Sequence, residues 1–330
     1  MLIRISPTLY FSLLVILASA PASAQQNPEK SVVIPVASDG DRAAQLSVSN
    51  PFFMAYKNQW YFELDTVEQR YTNRISLAAQ TVSGIPFPAS TAESRSIDTR
   101  LGGEVRYGIT DRIIAGVRGN YLVDREGFST YTGIFSSSTT TSTTPKSGFM
   151  NPSLGLVGRL LGTKRDEWYV DLIGTYTPGI KSSDKNALTN PAANYDAGLA
   201  LGRNAGPLTI GINAIVSYSP ETTYNGFTYR STTAILSEGI VQYEFGQAFI
   251  NALVGLVKYV DPNSANDPLS GKVRTFLAVQ MGVNVTQNLF AKASFGWLMP
   301  VSAETTSSGL TFVLKDTGGP AVGLTVGFRL

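Results

Sequence analysis

The chain has 330 residues, with 26 Lys and Arg against 24 Asp and Glu, and neither cysteine nor histidine. Without cysteine there are no disulfides, thiolate metal sites, lipoprotein anchor or cysteine nucleophile. Without histidine the usual general base, the commonest metal ligand and every serine–histidine pairing are missing, and the formal net charge of +2 is too small to point to nucleic acid or a strongly anionic partner.

Arg4 is the one charge ahead of the apolar run LYFSLLVILASA, and Ala22-Ser23-Ala24 follows as a small-residue cleavage site. The run is too short to cross a bilayer as a helix. Residues 1–24 are therefore expected to be a secretory signal peptide, cut before Gln25. Residues 25–57 include SVVIPVASDGD and LSVSNPFFMAY. Two readings stay open for them: a loose periplasmic lead, or a plug in which Phe52, Phe53, Met54 and Tyr56 fold into the bore of a barrel.

From residue 58 to residue 330 no long segment keeps a helical period. Apolar and polar residues alternate instead, in stretches of about ten, as membrane-crossing strands require. The sequence predicts an all-β, antiparallel, up-and-down transmembrane barrel of about twelve strands. They are expected near 58–70, 95–108, 112–124, 149–161, 167–178, 193–203, 207–218, 232–244, 247–260, 272–284, 288–299 and 319–330.

In the first, WYFELDT alternates through Trp60, Phe62 and Leu64, then the phase slips near Glu68; a bulge or a strand running past the membrane would account for this. The fifth, WYVDLIGTYT, sets Trp168, Val170, Leu172 and Tyr176 against Tyr169, Asp171, Thr175 and Thr177. The seventh, LTIGINAIVSY, sets Leu208, Ile210, Ile212, Ala214, Val216 and Tyr218 against Thr209, Gly211, Asn213 and Ser217. The ninth, AFINALVGLVKYV, is apolar on both sides, so alternation does not orient it. The tenth, VRTFLAVQMGVNV, has Phe276 as an exception on its polar side. The last strand alternates from Val322 to Leu330 and resembles the C-terminal signal (residues 321–330) read by outer-membrane assembly machinery, though it ends on Leu rather than Phe.

Short connections (GITDR, GTKRDE, RNAGP, EFGQ, VTQN) alternate with long polar ones near 82–97, 125–148, 179–193, 219–231, 261–271 and 300–318. That asymmetry belongs to outer-membrane barrels, with both termini in the periplasm. The Ser/Thr-rich STYTGIFSSSTTTSTTPK reads as a solvated external loop. DPNSANDP, Asp261 to Pro268, matches no calcium-loop spacing and reads as a turn.

Trp60, Tyr107, Tyr121, Trp168, Tyr176, Tyr218, Tyr243 and Trp297 lie on the apolar faces near strand ends, where rings favour the boundary of hydrocarbon and water. The opposite faces are rich in Gly, Asn, Arg and Asp, so they are expected to line a hydrated lumen, with lipid outside. Alternation puts Glu63, Asp65, Glu104, Asp171, Asp196, Glu238 and Glu244 inside, with Arg100, Arg106, Arg118, Arg159, Arg274, Lys292 and Arg329. Charges in a narrow space must pair or stay hydrated. A mutually paired ladder bracing the wall is the reading for most of them. Counting from the turns brings Glu63, Arg100, Glu104, Arg118 and Glu238 near mid-height, where opposed charges would form a constriction and set selectivity. Twelve strands about 4.8 Å apart and tilted about 40° make a ring roughly 24 Å across, which side chains narrow to a passage for small solutes.

LGGEVRYGITDRIIAGVRGNYLV and NPSLGLVGRLLGTKRDEWYVDLIGTYTPG together resemble the outer-membrane proteins named for the meta-pathway of phenol degradation. The resemblance implies an outer-membrane transporter importing aromatic or other hydrophobic compounds, distantly like fatty-acid channels. It transfers no functional residue. The functional expectation is passive uptake of small molecules, with outer-membrane lipid and small solutes as partners, no nucleic acid, no metal and no cofactor. The alternatives are a structural or surface-exposed barrel with a closed lumen and, further off, an enzyme whose base is Asp, Glu or Lys.

Overall fold

A computed structural model describes residues 49–132, 140–143, 147–162, 168–182, 188–229, 231–260, 272–307, 309–316 and 318–330. The expected signal peptide, most of the lead or plug segment and the DPNSANDP turn fall outside these residues.

Twelve antiparallel strands form the wall: β1 Trp60–Leu77, β2 Ser90–Thr110, β3 Ile113–Thr132, β4 Ser153–Leu161, β5 Trp168–Thr177, β6 Asn194–Ala205, β7 Leu208–Ser219, β8 Thr232–Phe245, β9 Ala248–Tyr259, β10 Val273–Thr286, β11 Leu289–Leu298 and β12 Gly319–Arg329. Each pairs with its chain neighbours, and β1 pairs with β12 from Tyr61↔Arg329 to Gln69↔Ala321, so the sheet closes into a barrel. Closure removes the edge strands that an open sheet would leave with unpaired backbone groups. Trp60 and Leu330 seal the seam by exchanging backbone hydrogen bonds of 3.1 and 2.9 Å.

The expected strand positions agree with these bounds to within a few residues at the short-turn end. At the other end β1, β2 and β3 run much further than expected. Pairing between β1 and β2 is unbroken from Trp60↔Tyr107 to Leu77↔Ser90. The phase slip at Glu68 is therefore no bulge: the outward row simply changes from Trp60, Phe62 and Leu64 to Thr66, Glu68 and Arg70. Four stretches expected as loops hold paired strand, among them 219–231, where Thr222–Tyr224 pairs with Phe227–Tyr229. Residues 90–97 belong to β2, and 125–132 belong to β3. In the 300–318 stretch Val301–Ser307 pairs with Leu310–Asp316, and the second of these pairs with β1 at Asn73–Leu77. Local polarity marks these segments as solvent-facing, but their backbone groups still find partners on a neighbouring strand.

Apolar side chains face outward around the whole wall: Leu64 is 64% exposed, Met281 62% and Trp168 52%. Rings cap the band at both ends, Trp60 lying 4.7 Å from Tyr107 at one and Tyr176 5.1 Å from Tyr195 at the other. The clusters of buried apolar residues are instead inside the barrel, at the short-turn end. Phe53 packs with Tyr61, Phe249 and Phe290; Phe52 with Tyr169, Ala200 and Ile173; Met54 and Ala55 with Ile114. Every one of these clusters includes a residue from the segment that precedes β1.

Candidate functional site in the barrel lumen

Residues 49–56 turn into the barrel before the chain reverses through Lys57 and Asn58 to start β1. Asn50 Nδ2 donates to Thr209 Oγ1 at 2.8 Å, and Asn50 Oδ1 accepts from Phe52 N at 2.9 Å. Phe52 is 4% exposed and stacks on Tyr169 with centroids 5.7 Å apart. Its ring occupies the space left by two glycines on neighbouring strands: a Cβ at Gly202 would sit 2.1 Å from Phe52 Cζ, and one at Gly211 2.3 Å. Arg159 fixes the backbone here. Its Nη2 donates to Phe52 O at 2.7 Å while its Nε and Nη2 hold Asp171 at 2.8 and 2.9 Å. Phe53 lies against Tyr61, and Tyr56 is half-buried at the turn, where Tyr56 N donates to Gln59 Oε1 at 3.0 Å.

Above this segment is a cavity of about 290 Å³. Its floor includes Pro51, Phe52, Phe53 and Met54; Glu104 and Arg106 stand on one wall, and Ile173, Ala200, Asn213 and Ile240 on another. The two walls differ along their height. On β1–β3 the inward residues are charged and interlocked. Arg106 Nε donates to Glu104 Oε1 at 2.6 Å, and Arg118 bridges Asp65 at 2.5 Å and Glu104 at 3.5 Å. Tyr61 Oη donates to Glu63 Oε2 at 2.6 Å, which helps Glu63 tolerate Glu104 directly opposite in the register. On β7–β10 Ile215, Leu236, Ile240, Leu253, Val257 and Phe276 are inward, interspersed with Thr209, Asn213, Glu238, Gln242, Asn251 and Arg274. Phe276 ceases to be an exception once its neighbour is known: its ring lies over Gly255, which has no side chain to compete for the space.

The residues expected at mid-height thus separate. Glu104 and Arg118 meet in one network with Asp65 and Arg106, and Glu63 adjoins it through Tyr61, whose ring lies under the Arg106 guanidinium. Arg100 belongs to a tier nearer the long loops, where it and Arg125 donate to Asp98 at 3.0 and 2.7 Å, with Tyr71 Oη donating to the same carboxylate at 2.6 Å. Glu238, on β8, is six strands from Glu104 in either direction around the ring. Asp196 accepts from Asn194 Nδ2 at 2.8 Å, and Arg274 pairs with Asp316 at 2.6 Å. Lys292 lies near the Phe290 ring, 5.7 Å from its centroid. Glu244 accepts from Gln242 Nε2 at 3.1 Å, and Arg329 is bound to Asn288.

Arg125 and Asp316 fall in stretches expected as loops, and Asp98, which shares the inward parity of Arg100, was not singled out. Val123 is a bulge on β3, so Leu122 and Arg125 both point inward. Among the described residues no group of three or more Asp or Glu side chains is arranged to hold a metal ion.

A closed antiparallel barrel, apolar outside and with charged groups along its inner wall, is the architecture of outer-membrane β-barrels. No protein-family profile and no curated protein matches the chain. Among solved structures it is similar to an outer membrane channel from Pseudomonas putida F1, at 12% identity and a TM-score of 0.52, over 86% of this chain and 100% of that one. It also resembles a Pseudomonas aeruginosa FadL homologue, at 12% identity and a TM-score of 0.45 over 82% and 90%, and the TodX monoaromatic hydrocarbon channel in mutant form, at 9% and 0.43 over 86% and 93%. At these identities the likeness concerns the fold.

Proposed function

We propose that the protein is a bacterial outer-membrane channel for passive uptake of small molecules with an apolar component, closed at its short-turn end by residues 49–56. The observation that carries this reading is the inverted placement of polarity. An apolar band covers the outer wall, where water would be an unfavourable neighbour, while ion-paired and hydrogen-bonded groups line the inside. Lipid is the medium that suits such a surface. A signal peptide over residues 1–24 and assembly through the C-terminal strand fit the same location. The absence of histidine and cysteine makes hydrolysis the weaker reading.

The apolar positions of the lumen support hydrophobic or aromatic cargo: Ile173, Ile215, Ile240, Leu253 and Phe276 offer contact area, and the charged positions keep the passage wet. The sequence resemblance to the meta-pathway outer-membrane proteins points the same way. A second reading, a surface barrel whose lumen never opens, is favoured by the tight seat of Phe52 and Phe53. Liposome swelling with the purified protein separates the two. Uptake of small aromatic solutes above that of protein-free vesicles supports the channel. A folded barrel that stays impermeable even without residues 49–56 supports the alternative.

A further inference from the structure

Glu238 differs from the arginine-paired carboxylates of the lumen. It occupies the inward position between Leu236 and Ile240 on β8, in register with Asn213 on one side and Gly255 on the other. Asn213 Nδ2 reaches its Oε2 at 3.5 Å, a long bond, and Lys292, also inward on β11, forms no ion pair with it. Gly255 leaves the wall bare beside it. The Phe276 ring, in register with Gly255 from β10, lies across that bare patch; a Cβ at Gly255 would be 1.7 Å from Phe276 Cε1. A carboxylate and an aromatic ring therefore flank one stretch of otherwise apolar wall. Just below, Asn213 and Ile240 line the cavity of about 290 Å³.

This pairing has a chemical meaning. A carboxylate in apolar surroundings gains most from a partner of opposite charge. An aromatic face adds attraction for ammonium groups in particular. Asp65, Glu104, Asp171 and Asp98 already have arginines at 3.0 Å or closer; Glu238 does not. The geometry points to a subsite for organic cations: Glu238, Asn213 and Phe276 take the ammonium group of a small primary amine, and Leu236, Ile240 and the cavity beneath take its apolar body. The assignment rests on the channel reading above and narrows its cargo.

The test uses the full chain in detergent micelles, with benzylammonium as probe and benzyl alcohol and benzoate as neutral and anionic controls. Calorimetry should show saturable benzylammonium binding. E238Q should weaken it about tenfold or more, the scale of one charge-assisted contact. F276L, which keeps bulk and removes the ring, should weaken it several-fold, and K292M should strengthen it by removing a competing positive charge. Benzyl alcohol binding should ignore E238Q. Equal benzylammonium affinity in the wild type, E238Q and F276L, or tighter binding of benzoate, overturns the proposal. Calorimetry requires no current, so a barrel that binds the amine but never conducts in planar bilayers refutes the channel reading and spares the subsite. A conducting barrel without E238Q-sensitive binding refutes the subsite alone.

Discussion

Replacing Phe52 with Ala tests whether the segment before β1 closes the lumen. The ring is almost wholly buried, stacked on Tyr169 and seated over Gly202 and Gly211. Truncating such a ring costs about 3–5 kcal/mol. If that cost falls on the closed arrangement alone, the ratio of closed to open barrels drops by a factor of about 10²–10⁴. Single-channel recording in planar bilayers should then show a wild type that is mostly shut and a Phe52→Ala variant that is mostly open. The glycines offer the opposite perturbation with the same expected result. A methyl group at Gly202 would sit 2.1 Å from Phe52 Cζ, so Gly202→Ala should expel the ring and open the barrel. In the Phe52→Ala background it should add nothing, because the atom it collides with is gone. Unchanged currents in a Phe52→Ala barrel that still shows heat-modifiable migration would refute the reasoning. So would a Gly202→Ala effect that survives the loss of the ring.

Arg159→Met should destabilise the barrel by about 3–5 kcal/mol, because it strands the buried Asp171 carboxylate and frees the Phe52 carbonyl; urea unfolding in lipid vesicles measures this. Asp98→Ala removes the common partner of Arg100, Arg125 and Tyr71. Both arginines keep access to water, so a smaller loss of about 1–3 kcal/mol is expected by the same assay. Arg118→Gln leaves Asp65 and Glu104 with less positive charge. Reversal potentials in a salt gradient should move toward cation selectivity; no movement would mean that ions do not pass that wall.

Two-residue alternation made most of this barrel legible. In β10, Val273, Leu277, Val279, Met281 and Val283 are outward and exposed, as the periodicity implies, because a strand has two sides and lipid-facing positions must be apolar. The inward arginines and carboxylates followed from the same count. The approach failed where a strand departs from regular geometry. The bulge at Val123 reverses the facing of everything beyond it and turns Arg125 toward Asp98, and no local pattern announces it. β9 was ambiguous because both its faces are apolar. In the barrel one face meets the outside and the other, with Leu253 and Val257, forms part of an apolar inner wall. That two-sided apolarity was the available signal for the amphipathic lumen.

The amino-acid pattern by itself determined the class of fold, the number and approximate bounds of the strands and the side of each that faces outward, because these depend only on periodicity and on the lengths of connections. Tertiary structure alone decided which charges meet. Glu104 joins Arg118 on the adjacent strand, Glu238 is left on the far wall, and Phe52 rests over glycines about 150 residues away. Those pairings depend on register and on closure of the ring. Both are properties of strands taken together, and no single segment encodes them.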